Sequence, residues 1–146
     1  MSDYTIQFAT TDKAISQCFS VMHELRPHLQ EDNFLNTIKN MEDEGYRLAY
    51  INNNTDVVAV AGYRIATNLF MGKHCYIDDL VTASKHRSLG YGEALISWIR
   101  EQAKVHNCNV LHLDSGTHRG SAHKFYFKQG MVIASYHFSE PLEHHV

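Results

Sequence analysis

The chain has 146 residues, 44% of them hydrophobic and 20% charged, which suits one globular domain (residues 1–146) and not a disordered chain. A formal net charge of -3, with eleven histidines counted neutral, leaves no basic footprint for nucleic acid, so no nucleic-acid partner is expected. Any phosphate ligand must be held by local geometry and a few cations.

Tyr4 to Ala9 alternates well enough for a first strand. Ala14, Ile15, Cys18, Phe19 and Met22 then fall at helical spacing, with Pro27 as the stop, and Phe34, Leu35, Ile38 and Met41 form a second helical stripe ending near Gly45. Arg47 to Ile51, Val57 to Ala66 and His74 to Val81 read as three strands. The connections between them are too short for crossover helices, so they form an antiparallel meander. Gly90 to Asn107 is an amphipathic helix and Val110 to Asp114 a short apolar strand. Arg119 to Gln129 is a further helix with Gly130 as its left-handed cap, and Met131 to Phe138 is expected to close the sheet. The order β-α-α-β-β-β-α-β-α-β describes a mixed α/β fold with an antiparallel front half.

Cys18, Cys75 and Cys108 are odd in number and form no CxxC pair, which argues against a disulfide framework or zinc ribbon and for a reducing, cytoplasmic setting. The first residues lack the basic start and apolar run of a secretory signal. No stretch approaches the roughly 20 apolar residues that span a membrane, so no membrane partner is expected.

The chemistry concentrates in Ile77-Asp78-Asp79-Leu80-Val81-Thr82 and the following Lys85-His86-Arg87-Ser88-Leu89-Gly90-Tyr91-Gly92. A strand ends, a polar loop follows, and two glycines open a helix. Uncapped amides and the positive end of the helix dipole then point outward together, a geometry for phosphate. Leu95 stands where a dinucleotide fingerprint needs its third glycine, and no Gly-Lys-Ser/Thr marks a nucleotide P-loop. Taken alone, the Gly-x-Gly is also compatible with a plain helix cap.

Arg87-Ser88-Leu89-Gly90-Tyr91-Gly92 resembles the Arg/Gln-x-x-Gly-x-Gly/Ala signature of the GNAT acetyltransferase superfamily. Ala122-His123-Lys124-Phe125-Tyr126-Phe127-Lys128-Gln129-Gly130-Met131 resembles that family's Ala-x-x-hydrophobic-Tyr-x-x-x-Gly-hydrophobic block. The resemblance implies a GNAT-like α/β fold: a mostly antiparallel sheet of six to seven strands, flanked by about four helices and splayed at the acyl-CoA site. It implies acetyl-CoA as co-substrate, with the diphosphate on the amides of Ser88, Leu89, Gly90, Tyr91 and Gly92 beside Arg87. The pantetheine arm would lie along the backbone of Leu80, Val81 and Thr82, with an amide near Val81 facing the thioester carbonyl. Many relatives carry asparagine three residues before the block's alanine. Arg119 stands there in this chain, and the resemblance passes that CoA contact to Arg119 or Ser121.

By the same resemblance Tyr126 protonates the departing thiolate, although spacing alone would equally make it a core tyrosine. Asp78 and Asp79 are the candidate bases, Asp78 preferred, and strand alternation sends them to opposite faces. A carboxylate of ordinary pKa near ~4 is a poor direct base for an alkylammonium, so action through water or electrostatic capture of the acceptor fits better. The competing account has both aspartates bonding backbone where the sheet opens. His74, His112, His118 and His123 show no convincing metal spacing, and no metal is expected. Tyr63, Phe70, Tyr76 and Tyr136 are candidates for an acceptor pocket or for plain core. Cys75 has no base paired with it in sequence, which favours direct transfer over an acyl-enzyme. The expected activity is N-acetyl transfer to a primary amine of a small molecule or peptide, in a ternary complex. The alternative is a non-catalytic acyl-CoA sensor on the same fold. A homodimer is compatible with the family, but no sequence feature marks an interface.

Overall fold

Alternation at the N-terminus builds β1 (Thr5–Phe8) in the computed structural model, which describes residues 4–144. Thr11 then caps α1 (Asp12–Gln17), its side chain accepting the Ala14 amide at 3.1 Å. The single helix expected from Ala14 to Met22 is interrupted at Cys18, where the backbone amide bonds Ile15 three residues back, and α2 (Phe19–Leu25) follows. The tightening keeps Ile15, Cys18, Val21 and Met22 all buried. The stripe from Phe34 to Met41 falls within α3 (Glu31–Glu42). Gly45, at φ 93°, turns the chain out of that helix, and the Tyr46 amide reaches back to the Met41 carbonyl.

Three antiparallel strands follow: β2 (Arg47–Asn52), β3 (Val57–Asn68) and β4 (Gly72–Thr82). The β3–β4 hairpin is tighter than strands ending at Ala66 and resuming at His74 would make it, because Asn68 Oδ1 accepts the Met71 amide at 2.6 Å and Gly72 takes φ 74°. A short 3-10 turn (Ser84–His86) leads to α4 (Tyr91–Val105), then to β5 (Val110–Leu113) and α5 (Gly120–Lys128).

The sheet runs β1-β2-β3-β4-β5, antiparallel except for the parallel β4–β5 pair that the α4 crossover allows. Both faces of its centre are buried, so β2 and β3 read as nearly continuous apolar runs. Leu48, Tyr50, Val60 and Val81 pack with Ile15, Met22, Phe34 and Ile38 of α1–α3. The alternate residues Ala49, Ile51, Ala61 and Tyr63 are buried as well, and α4 contributes the buried Leu95, Ile96 and Ile99. Each large aliphatic side chain buried in this way contributes about 1.5–3 kcal/mol.

The chain divides into two compact units, Met1–Leu113 and Asp114–Val146. All five strands belong to the first. Two expectations need correction. The sheet has five strands among the described residues, not six to seven, and the helices number five, not about four. Met131 to Phe138 forms no strand: Val132, Ile133, Tyr136 and Phe138 are exposed. An apolar segment becomes a strand only when another strand pairs with it, and among the described residues no strand pairs with this one.

Candidate active site

β4 pairs with β5 only from His74 to Ile77, opposite Val110 to Leu113. Beyond Ile77 it continues through Asp78, Asp79, Leu80, Val81 and Thr82, still paired with β3. On its β5 side it has no strand partner among the described residues. β5 ends at Leu113, and the edge of β4 beyond Ile77 has backbone donors and acceptors of the kind a ligand can pair with as an extra strand.

That edge leads into the turn singled out by its glycines. Arg87 is extended, Ser88 has φ 66° and Gly90 has φ 88°, so left-handed residues alternate with ordinary ones just before α4. No side chain caps α4, and its first amides stay open as at any helix start. A Cβ built on Gly90 would meet nothing within 4 Å, so its glycine answers to the backbone conformation and leaves open space above it. Ser88, Leu89 and Gly90 are exposed and Gly92 half-buried. The Tyr91 ring is buried edge-on against Tyr4, which leaves its backbone as the part available to a ligand. Glu24 of α2 steadies the start of the turn: its carboxylate accepts the Ser84 amide at 2.9 Å and lies 3.9 Å from Arg87 Nη2.

Just past the last residue paired with β5, β4 carries a bulge. Gly62 pairs with Asp79 and Tyr63 with Ile77, so Asp78 is an extra residue with no counterpart on β3. A bulge breaks the two-residue alternation, and the two aspartates do not go to opposite faces as simple alternation would send them. Arg64, two residues past Gly62 on β3, grips Asp78 at both oxygens: Nε to Oδ1 at 3.2 Å and Nη2 to Oδ2 at 2.5 Å. Asp79 accepts from Arg26 Nε at 3.0 Å and from the Tyr46 hydroxyl at 2.8 Å. Arg26 also donates to the Asp78 carbonyl at 2.9 Å, tying the end of α2 to the bulge. Burial, then the Asp79 charge, push the Tyr46 phenol well above its usual range, so it stays a donor. Asp79 is thus held by side chains, not backbone. Arg26, Tyr46, Arg64 and Glu24 were not legible as site residues, because their partners stand 53, 33, 14 and 60 positions away.

Of the four aromatic residues suggested for a pocket, the three in the first unit are not gathered, and Tyr136 is exposed in the second unit. Tyr63 is buried against Trp98 of α4, its phenol pushed up to about 12 mainly by burial, while Phe70 sits exposed beyond the end of β3. Tyr76 joins a different group. Arg64, Tyr76 and His112 are in register across β3, β4 and β5, and His112 Nε2 lies 2.8 Å from His74 Nδ1.

In the second unit, α5 carries Ser121 exposed and Tyr126 half-buried. Burial raises the Tyr126 phenol above its ordinary pKa, and Arg119 opposes the shift through its charge and a side-chain hydrogen bond. The arginine that replaces the usual motif asparagine therefore serves, in this unit, as a partner of Tyr126. His123 bonds the Gly116 carbonyl at 2.8 Å.

The sequence profile described as the acetyltransferase (GNAT) family matches residues 10–131. The chain belongs to the GNAT acetyltransferase family. This GNAT chain is 32% identical over 135 residues to an uncharacterized N-acetyltransferase of Bacillus subtilis, YhdJ, covering 91% of this chain and 95% of that one. A solved structure of a transcriptional regulator from Bacillus halodurans C-125 matches it with a TM-score of 0.86 at 20% identity, over 96% of this chain and 100% of the other. The aminoglycoside N-acetyltransferase AAC(6')-Iy in complex with CoA matches with a TM-score of 0.86 at 11% identity, over 97% of this chain and 96% of that one. At such identities the two structures share a fold with this GNAT protein. Among its described residues, no helix is long and apolar enough to cross a membrane.

Proposed function

We propose that this GNAT acetyltransferase moves an acetyl group from acetyl-CoA directly onto a primary amine of a small molecule or peptide, and that residues 1–146 act as one catalytic domain. The observation that carries the reading is the open edge of β4 from Asp78 to Thr82, leading into the uncapped turn before α4. In this reading the diphosphate of CoA accepts from the amides of Ser88 to Gly92, with Arg87 adding positive charge. The pantetheine arm bonds the backbone of Leu80, Val81 and Thr82, and an amide near Val81 polarises the thioester carbonyl. Ser121 supplies a further CoA contact. Tyr126 gives its proton to the thiolate as the C–S bond breaks, a role supported by its place in the family block and by burial that keeps the phenol protonated. Asp78, with both oxygens on Arg64, acts on the acceptor electrostatically and not as a direct base.

Calorimetry with CoA and a thiol-release assay with acetyl-CoA and a panel of amines test the reading together. Binding of CoA that weakens tenfold or more in Gly90→Val, with free thiol appearing only when an amine is present, supports it. Acetyl-CoA binding with no thiol release across the panel would instead indicate a sensor. No binding at all would remove the assignment.

A further inference from the structure

The last turn of α2 holds both ends of one stretch of chain. Arg26, which closes α2, donates to the Asp78 carbonyl at 2.9 Å and to Asp79 Oδ1 at 3.0 Å, at the bulge. Glu24, two residues earlier, accepts the Ser84 amide at 2.9 Å and stands 3.9 Å from Arg87 Nη2, at the start of the glycine turn. Between these ties, Val81 and Ala83 are buried in the cluster that includes Val21 and Met22 of α2. Residues 78–84 are therefore fastened to α2 at both ends and packed with it in the middle.

The way the helix ends makes this possible. On a continuing helix, residues two apart point about 200° from each other and could not serve one strand together. Arg26 leaves the helix at φ -121° and ψ 72°, and both side chains reach the same stretch. The two ties act on different parts of it. The Asp78 carbonyl and the Asp79 amide belong to one planar peptide group, so Arg26 orients the backbone at the bulge, where no residue of β3 stands opposite. The 3-10 turn Ser84–His86 has no side-chain cap of its own, and Glu24 supplies the acceptor from 60 positions away. That turn carries the chain into Arg87, whose Nε lies 3.4 Å from the Thr82 carbonyl. With Arg87 61% exposed, its 3.9 Å pair with Glu24 contributes little by itself, and the Ser84 bond is the stronger tie.

We propose that the last turn of α2 is a two-ended clamp, Glu24 positioning the glycine turn for CoA and Arg26 positioning the bulge for acetyl transfer. The inference rests on the acetyl-transfer reading above. Both are positioning residues, acting through other groups. Glu24 acts through the Ser84 amide, so its loss is felt in cofactor binding. Arg26 acts through the Asp78 peptide and the Asp79 carboxylate, so its loss is felt once the cofactor is bound, where a misplacement of about 1 Å costs roughly 100-fold in rate. A general loosening of α2 would instead degrade binding and turnover together.

The test sets CoA affinity, from calorimetry, against kcat at saturating acetyl-CoA. The acceptor is the best of spermidine, glucosamine and a lysine peptide, and thermal melts check folding. Glu24→Ala should weaken CoA binding about tenfold and leave kcat within about threefold. Glu24→Gln keeps an oxygen for the Ser84 amide and should restore affinity to within about threefold of the wild type, a rescue that simple loosening does not predict. Arg26→Met should lower kcat about tenfold or more while CoA affinity stays within about twofold. Where that variant does not fold, Arg26→Lys, which keeps the charge beside Asp79 but cannot make both bonds, is read in the same way. Equal losses of affinity and kcat in the two truncations, no loss in either, or a Gln variant as weak as the Ala variant overturn the proposal and leave acetyl transfer standing. A wild type that does not bind acetyl-CoA, or binds it without transfer, overturns the parent reading and this inference with it.

Discussion

Arg64 on β3 closes on Asp78 of β4 as a two-pronged pair, at the one position where β4 holds a residue more than its neighbour. The side chains are 38% and 14% exposed, so the pair is neither a free surface bridge nor a fully desolvated one. A double-mutant cycle with Arg64→Met and Asp78→Asn, read from urea unfolding, should give a coupling of about 1 kcal/mol. The double variant should be less destabilised than the sum of the two single variants, because each single change leaves a half-buried polar group without its partner. Additive single effects would mean the pair does not couple.

The phenol of Tyr126 is raised by burial and pulled back by Arg119. If it is the acid, Tyr126→Phe should lower kcat by 10²- to 10⁴-fold while the CoA dissociation constant, from calorimetry, changes less than twofold. Its raised pKa keeps the proton in place through neutral pH, so turnover should fall only above the ordinary tyrosine range near ~10. Arg119→Met removes the opposing influence and should move the phenol titration, followed by ultraviolet absorbance, to still higher pH.

Gly62 leaves room for the Tyr46 ring on its way to Asp79. A Cβ at position 62 would fall on the Tyr46 hydroxyl and the ring carbon that bears it, and Tyr46 is fully buried. A rigid aromatic in a packed core has nowhere to move, so Gly62→Ala should cost about 3 kcal/mol or more. Tyr46→Phe keeps the ring and removes only the bond to Asp79, and should cost about 1–2 kcal/mol. Chemical denaturation of the two variants checks the order; an equal or reversed ranking would show that the ring can be displaced cheaply.

Burial pushes the Cys18 and Cys75 thiols up to about 12, and Tyr63 likewise. The folded chain keeps protons that the unfolded chain releases near ~8.5 for cysteine and ~10 for tyrosine. Their contribution to stability is therefore complete below about pH 8.5 and is lost as pH climbs toward 12, with a slope up to ~1.4 kcal/mol per pH unit for each titrating group. Urea midpoints should hold level from pH 7 to 8 and fall between pH 9 and 11. Cys18→Ala should flatten that fall even though it lowers stability at neutral pH.

The glycine turn was legible because its information is local. Arg87 to Gly92 lies within six consecutive residues, and the open amides follow from a helix start with no capping side chain. The β2–β4 meander was legible for a related reason, since short connections force adjacent strands to pair antiparallel. The interruption at Cys18 was not, because one tightened turn leaves the apolar spacing of a helix intact. The segment from Met131 to Phe138 failed in the opposite sense, apolar like a strand but paired with none among the described residues.

Residue order alone therefore determined most of the element types, the glycine turn and the family block around Tyr126, all of which depend on neighbours within about ten positions. The tertiary structure decided the rest: the bulge at Asp78, the length of the β4–β5 pairing, and the commitment of Asp78 and Asp79 to arginines. It also decided the meeting of His74 with His112, 38 residues apart. Strand register is set by hydrogen bonds and packing between distant segments, and a shift of one residue would exchange the faces of every side chain along the strand.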